Sequence, residues 1–205
     1  MRTSFAAVLA AALLVTPAAL AGEVEARAFV EQRHVKITQL LRQPASSGRD
    51  AQVEQELGAV FDYDELTRRI FGKCPPGMSC LDNWTKLSAA QQQEMTDLFR
   101  KLVQKTYRKN LVKTLDYDVS YKGSRAVLAN ESKVRTEAKS RVKPRDPAVL
   151  VDYVVREDAG IFHVVDIVTE GSSLATNYRE QVAKMLREHD YAYLRKKISD
   201  KANAP

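Results

Sequence analysis

A serine pair and a histidine near the C-terminus are the first candidates for chemistry. Ser172 and Ser173 stand between a predicted strand and a predicted helix, where a nucleophile can be placed. However, the segment Gly171-Ser172-Ser173-Leu174 is not the G-x-S-x-G motif of serine hydrolases, and serines before a helix usually cap it. His163 lies in an apolar predicted strand without a partner in the nearby sequence. These three side chains therefore do not predict a nucleophilic enzyme.

Two aspartates are the other candidates. Asp152 and Asp166 lie in adjacent strands of a predicted hairpin. Two carboxylates that share one cavity would suit acid–base catalysis, but we expect each to pair with a basic neighbour such as Arg179 or Lys143. The sequence has no glycine-rich phosphate loop. We therefore predict a protein that is not an enzyme.

The two cysteines, Cys74 and Cys80, bracket a short segment that contains two prolines and a glycine. In an oxidising compartment, such a close pair is most simply a disulfide. The spacing is not the C-x-x-C of redox enzymes. A zinc site would need more ligands, and His34, His163 and His189 are scattered along the chain, so we predict no metal site.

The N-terminus has the pattern of a secretory signal peptide. Arg2 supplies the positive charge, Phe5–Val15 is an apolar run, and Ala19-Leu20-Ala21 is a small-x-small cleavage site. The apolar run is shorter than the roughly 20 residues that span a membrane. We expect cleavage after Ala21, a soluble single domain over residues 22–205, and a location in the periplasm.

The mature chain would be basic. Removal of Arg2 from the 32 basic residues leaves 31 against 26 acidic ones, a net charge of +5. Such a charge suits nucleic acid, an anionic membrane surface or an acidic protein. Since the chain is expected to be exported, we predict no nucleic-acid partner.

The first half of the mature chain has helical periodicity. Helices are predicted over Glu23–Gln43, around Val53–Val60 and from Asp62. Two capping boxes are predicted, Asp62 with Glu65 and Ser88 with Gln91. The second begins a long amphipathic helix that runs to Leu115.

The second half changes to alternation with a period of two residues. Tyr117–Tyr121 is predicted as a strand that ends in a turn at Lys122-Gly123-Ser124, and Arg125–Lys139 as a second strand. Two further strands flank a hairpin turn at Glu157–Gly160, and helices follow from Leu174. Helices, then strands, then helices predict an α+β fold, with the helices packed on one face of an antiparallel sheet of about four strands.

Several segments of the chain carry recognisable motifs. They are Phe61-Asp62-Tyr63-Asp64-Glu65-Leu66 with Arg68-Arg69, the S-x-x-Q helix from Leu87 through Phe99 to Tyr107, Val151–Val155, Val165–Leu174 and Asn177-Tyr178-Arg179. Together they resemble MlaC-like proteins, also called the toluene-tolerance family. The likeness covers nearly the whole mature chain, in the family's order. The D-x-x-x-E-G-x-S-L block followed by N-Y-R is the most specific. Phe162 replaces the usual Trp, and Gly72 to Asn83 resembles an insertion of unknown role.

The resemblance implies a periplasmic lipid carrier that holds phospholipid acyl chains in an apolar pocket between helices and sheet. It implies a shuttle between the outer and inner membranes, as part of an Mla-type ABC transport system that maintains outer-membrane lipid asymmetry. The implied partners are an inner-membrane MCE-domain protein with its ABC transporter complex and an outer-membrane lipoprotein complex. No cofactor is implied, and the bound phospholipid is the cargo.

On this hypothesis, bulky side chains of the long helix and the strands line the pocket. We expect lipid contacts from Leu98, Leu102, Val103, Tyr107, Val149, Val151, Tyr153, Val165 and Ile167. The alternatives are a small cavity enzyme (an isomerase or hydrolase) that uses Asp152, Asp166 or His163, and a ligand-free interaction module with an exposed apolar patch. The lipid class, the direction of transport and the oligomeric state stay open.

Overall fold

The computed structural model describes residues 17–72 and 81–204. Within these ranges the chain forms six helices and a five-stranded antiparallel sheet, which is the predicted α+β architecture. The helices are α1 (Pro17–Leu41), α2 (Ser47–Val60), α3 (Tyr63–Ile70), α4 (Ala89–Thr114), α5 (Leu174–Glu188) and α6 (Tyr191–Asn203). The strands are β1 (Tyr117–Leu128), β2 (Glu131–Ser140), β3 (Val149–Asp158), β4 (Ile161–Thr169) and β5 (Ser172–Ser173).

Cys74, Cys80 and residues 1–16 lie outside the described residues. The disulfide and the cleavage of the signal peptide therefore stay predictions. In the described part of the chain, no helix combines the length and the apolarity that crossing a membrane requires.

The sheet has the simplest possible order, β1-β2-β3-β4-β5, so every strand pairs with its neighbour in sequence. The predicted hairpin turn at Glu157–Gly160 is confirmed, with positive φ at Ala159 (50°) and Gly160 (81°). Glu170 (50°) and Gly171 (79°) repeat this geometry between β4 and β5. Two successive residues with positive φ give the turn whose twist matches the flanking strands.

The predicted turn at Lys122-Gly123-Ser124 is wrong. β1 continues through this segment, because Tyr121 pairs with Thr136 and Gly123 pairs with Arg135, which leaves Lys122 as an extra residue in a β-bulge. Gly123 supplies the backbone conformation, with φ of 133°. The chain reverses instead between Leu128 and Glu131.

The two predicted capping boxes have different outcomes. At α4 the box is complete, since Gln91 N–H donates to Ser88 Oγ (3.3 Å) and Ser88 N–H donates to Gln91 Oε1 (2.9 Å). At α3 only half forms. Glu65 N–H donates to Asp62 Oδ1 (2.8 Å), but Asp62 N–H donates to the carbonyl of Val164 (3.1 Å). The Glu65 carboxylate pairs instead with Arg69 and Arg156, each at 3.1 Å.

The helices cover one face of the sheet. α1 crosses β1, β2 and β3, while α2 and α3 contact β4, and α6 packs on α4 and α5. Their buried side chains join with inward-facing strand residues in one large core, whose fully buried members include Leu57, Leu66, Phe71, Met95 and Phe99. A second, small cluster of Val154, Val165 and Val168 is separate from it.

Candidate functional site

A cavity of about 950 Å³ lies between α1, α4 and the sheet. It is at the upper end of the usual size range for ligand pockets, about 300–1,000 Å³. Its side chains are mostly apolar, aromatic or uncharged polar groups. They are Glu31, His34, Val35, Thr38, Gln39, Arg42, Leu102, Val103, Thr106, Tyr107, Lys113, Thr114, Leu115, Tyr117, Asp118, Val119, Tyr121, Thr136, Ala138, Arg141, Val149, Val151, Tyr153, Ile167, Thr169, Ser172, Leu174, Asn177 and Tyr178.

Helical periodicity explains the side of the cavity that α1 and α4 form, which we call the roof. From α1 and the residue after it, the lining residues fall at alternating steps of three and one, which is a single helical stripe. From α4, Leu102, Val103, Thr106 and Tyr107 form the matching stripe. Val30, Ile37 and Leu41 lie on the neighbouring face of α1 and are buried in the core. One helix thus serves both the core and the cavity.

Strand alternation explains the opposite side of the cavity, the floor, which the sheet forms. Apart from Asp118 at the opening, the lining residues of β1 to β4 occupy every second position, and they pair directly across the sheet. Tyr121 opposes Thr136, Thr136 opposes Val151, and Val151 opposes Thr169. One face of four strands is therefore continuous cavity wall.

Seven of the nine residues that we expected to contact lipid line this cavity. They are Leu102, Val103, Tyr107, Val149, Val151, Tyr153 and Ile167. Leu98 does not line it. Leu98 is one turn earlier on α4 and packs, half-buried, against the main core.

Val165 lies on the opposite face of the sheet. Alternation places Val165 and Ile167 on the same face, but Val155 pairs with Val164 and Val154 pairs with Asp166, so Val165 is the extra residue of a β-bulge. The bulge shifts the register, and Val165 packs with Val154 and Val168 in the separate cluster. Because no glycine lies at this bulge, the strand pattern does not predict it.

A hydrogen-bonded cluster of one histidine and three tyrosines lies on the cavity wall, and sequence analysis did not identify it. His34 Nδ1 is 2.7 Å from the Tyr121 hydroxyl, and His34 Nε2 is 2.9 Å from the Tyr153 hydroxyl. The Tyr153 hydroxyl lies 3.3 Å from that of Tyr107. The four residues come from α1, β1, β3 and α4, far apart in sequence, so no local motif could have revealed them.

Burial sets the protonation of this cluster. It lowers the pKa of His34 to about 4, because the charged imidazolium is poorly solvated there. Burial also raises the pKa values of Tyr107, Tyr121 and Tyr153. At neutral pH the imidazole is therefore neutral and the three phenols keep their protons.

The charged lining residues mark the open side of the cavity, since all of them are exposed. They are Glu31, Arg42, Lys113, Asp118 and Arg141. Arg141 Nη1 lies 3.7 Å from Asp118 Oδ1, and Arg141 also donates to the carbonyl of Leu115. The basic side chains exceed the acidic ones at this opening.

Of the candidate catalytic groups, Ser172 lines the cavity and accepts a hydrogen bond from Asn177 Nδ2 at 3.0 Å, while the others lie outside the lining. Asp166 accepts hydrogen bonds from Ser173 Oγ (2.6 Å), Ala175 N–H (3.0 Å) and Ile167 N–H (2.8 Å). Ser173 caps α5 by accepting from Thr176 N–H at 3.0 Å. The cavity lining contains neither Asp166 nor Ser173.

The remaining two candidates are also outside the cavity lining. Asp152 pairs with Arg135 (3.4 Å) and Lys133 (3.9 Å), not with Arg179 or Lys143 as expected, because its side chain lies beside those of β2. His163 lines a separate, smaller pocket of about 290 Å³. Among the described residues, no group of three His, Cys, Asp or Glu side chains is arranged to hold a metal ion.

Helices over one face of an antiparallel sheet, with a large cavity between the two layers, define a cavity-bearing α+β protein. The family described as MlaC protein matches residues 31–200, and this chain belongs to that family. The fold is similar to that of the phospholipid-binding protein from Ralstonia solanacearum, whose structure was solved in complex with a phospholipid. The TM-score is 0.69 and the identity 21%, over 86% of this chain and 96% of the other. None of the curated proteins matches this chain.

Proposed function

We propose that this protein binds a phospholipid, with the acyl chains inside the cavity and the head group at the charged opening. The observation that carries the proposal is the cavity of about 950 Å³ between the helices and the sheet. Membership of the MlaC family supports it. The similarity in fold to a protein solved with a bound phospholipid supports it too.

The physical reason is the cost of exposing an acyl chain to water. Each methylene in water costs about 0.8 kcal/mol, so a chain of about 16 carbons costs more than 10 kcal/mol. A carrier must therefore cover the chains almost completely. Leu102, Val103, Val149, Val151 and Ile167 offer an apolar lining for this purpose.

We infer further that the protein carries lipid through the periplasm between the outer and inner membranes. The predicted signal peptide supports export, and the family supports a place in an Mla-type ABC transport system. In this role it would meet an outer-membrane lipoprotein complex at one membrane and an MCE-domain protein with its ABC transporter at the other. Arg42 and Lys113 at the opening suit lipid phosphate or an acidic partner surface.

A binding protein is favoured over a cavity enzyme by the placement of the titratable groups. Asp152 and Asp166 are engaged in ion pairs or hydrogen bonds away from the cavity, and His163 lines the smaller pocket. His34 does line the large cavity, but both of its nitrogens are hydrogen-bonded to tyrosine hydroxyls. A carrier needs only shape and apolar surface from its cavity, and these are present.

The test is native mass spectrometry of the protein purified from the periplasmic fraction, with extraction and identification of the bound lipid. Val151→Trp fills the cavity from β3, and Leu150→Trp is the matched control, because Leu150 is its neighbour in sequence but does not line the cavity. We expect phospholipid on the wild type and on Leu150→Trp, and much less on Val151→Trp. A wild type that takes up no phospholipid from vesicles either would overturn the proposal.

A further inference from the structure

The His34 cluster joins the roof of the cavity to its floor through a linear chain of hydrogen bonds. The order is Tyr121, His34, Tyr153 and Tyr107, with contacts of 2.7, 2.9 and 3.3 Å. Within the described residues, these three contacts are the only hydrogen bonds that the four side chains make. All four side chains line the cavity.

Counting hydrogens shows that the cluster cannot satisfy all of its donors. A neutral imidazole has one N–H, and each phenol has one O–H, so the cluster holds four donor hydrogens. The cluster has only three contacts in which to use them. One hydrogen is therefore always left over.

The imidazole restricts where that hydrogen is found, since one of its nitrogens donates and the other accepts. If Nδ1 donates to Tyr121, then Tyr153 donates to Nε2 and Tyr107 donates to Tyr153, so the free O–H is that of Tyr121. If Nε2 donates to Tyr153, then Tyr121 donates to Nδ1, and the free O–H belongs to Tyr107 or Tyr153. In each case a tyrosine hydroxyl on the cavity wall keeps a donor for the ligand.

The depth of the cluster in the cavity indicates which ligand atom accepts. Tyr153 is only 7% exposed and the other three side chains are half-buried, whereas the charged residues at the opening are exposed. A pure hydrocarbon chain would leave the donor unpaired, which is unfavourable in a buried site. In a diacyl phospholipid, the acceptors between the solvated phosphate and the chains are the ester carbonyl oxygens.

We propose that the free hydroxyl of this cluster donates a hydrogen bond to an ester carbonyl oxygen of the ligand, so that the cavity selects acyl esters over ether-linked lipids. The inference rests on the proposed phospholipid-binding function and names the chemical group that the site recognises. One hydrogen bond of this kind corresponds to a preference of roughly two- to tenfold.

The test is a competition between dioleoyl phosphatidylethanolamine and its dialkyl ether analogue with equal chain length and unsaturation. The lipid-free protein is incubated with vesicles that contain both lipids in equal amounts, and the bound ratio is measured by mass spectrometry. We expect at least a twofold excess of the ester. Since both lipids have the same phosphate, recognition of the phosphate alone would give equal binding and overturn the inference.

Two variants locate the donor. Tyr121→Phe removes one end of the chain, and the double variant Tyr107→Phe/Tyr153→Phe removes the other. In each variant, the nearest remaining group of the cluster is His34. Its Nδ1 lies 2.7 Å from the oxygen lost in Tyr121→Phe, and its Nε2 lies 2.9 Å from the Tyr153 oxygen lost in the double variant. We expect one of the two variants to bring the ester-to-ether ratio close to one. The exposed Tyr193, which is outside the cavity lining, provides the control variant Tyr193→Phe.

The outcomes separate the two proposals. An equal ratio in the wild type, or a preference that neither variant reduces, overturns the carbonyl contact while the phospholipid-binding function stands. Recovery of neither lipid overturns the phospholipid-binding function itself. If the double variant does not fold, the wild-type ratio and Tyr121→Phe still decide whether esters are selected.

Discussion

Arg156 on β3 and Glu65 on α3 form an ion pair with 3.1 Å between Nη1 and Oε2, and the Glu65 side chain is only 3% exposed. Arg156 also pairs with Asp62 (2.8 Å) and Asp158 (2.7 Å), while Arg69 joins Glu65 to Glu131 on β2. This network attaches the short helix α3 to the sheet. Glu65 contacts both arginines, so its removal takes one partner from Arg69 and one from Arg156 at a buried position.

We therefore predict that Glu65→Gln lowers the free energy of unfolding by about 2–3 kcal/mol, because hydrogen bonds to charged groups contribute about 1.5–3 kcal/mol each. Glu137→Gln is the matched control, because Glu137 pairs with Lys122 at the surface, where such pairs contribute about 0–1 kcal/mol. Urea denaturation followed by circular dichroism measures both. Equal midpoints for the two variants would contradict the prediction.

The desolvation of His34 predicts a stability that depends on pH. Its pKa is about 4 in the folded protein and about 6.5 when unfolded, so the unfolded chain binds more protons between these values. The contribution is fully present above pH 6.5 and is lost as the pH falls to 4, with a total of about 3 kcal/mol. Below pH 4, both states are protonated and this contribution falls no further.

The measurement is urea denaturation of the lipid-free protein at pH 7 and pH 4.5, for the wild type and for His34→Gln. Other groups titrate equally in both proteins, so the difference between the two slopes isolates His34. We expect a smaller loss of stability in His34→Gln, whereas the exposed His189→Gln should behave like the wild type. Parallel profiles for the wild type and His34→Gln would refute the assignment.

Gly72 is required by a close backbone approach. Its φ is 111°, and a Cβ atom there would lie 2.1 Å from the carbonyl oxygen of Leu81. We predict that Gly72→Ala costs at least about 2 kcal/mol of folding stability, through strain and collision. Gly58→Ala in α2 meets nothing within 4 Å and should instead stabilise by about 0.5–1 kcal/mol. Thermal unfolding of the two variants should therefore shift in opposite directions.

The cysteine pair gives a prediction for the segment outside the described residues. If Cys74 and Cys80 form a disulfide, the exported protein reacts with a thiol reagent only after denaturation and reduction. The double variant Cys74→Ser/Cys80→Ser should then lose about 2 kcal/mol of stability by the chain-entropy model. Labelling of the unreduced, denatured protein would show that the thiols are free.

The sequence predicts most of the fold because the strands and helices obey simple periodicities. Alternation correctly placed Val149, Val151 and Tyr153 on one face, and the Ser88–Gln91 motif correctly began α4. Both signals are local, since they depend on side-chain direction or on bonds across three residues.

The errors come from features that tertiary contacts determine. The segment around Gly123 has a sequence typical of a turn, but β1 pairs with β2 on both sides of Lys122, which makes the segment a β-bulge. Val165 changes face because β3 skips one residue of β4. His34 lies within the predicted helix over Glu23–Gln43, but its partners Tyr121 and Tyr153 are 87 and 119 residues away. No local pattern contains such information.

Because the strands lie in the sheet in their order along the chain, the sheet that forms the floor and the helices that form the roof differ in how far apart in sequence their contacts are. Each strand pairs with the next one in the chain, so the floor can form one hairpin at a time with short loop closures. The docking of α1 on β1–β3 instead closes loops on the scale of the 119 residues between His34 and Tyr153. The long closures are thus concentrated where the first helix meets the sheet. A ligand held between the two layers would stabilise the docking of α1 on the sheet, which is the step that chain connectivity favours least.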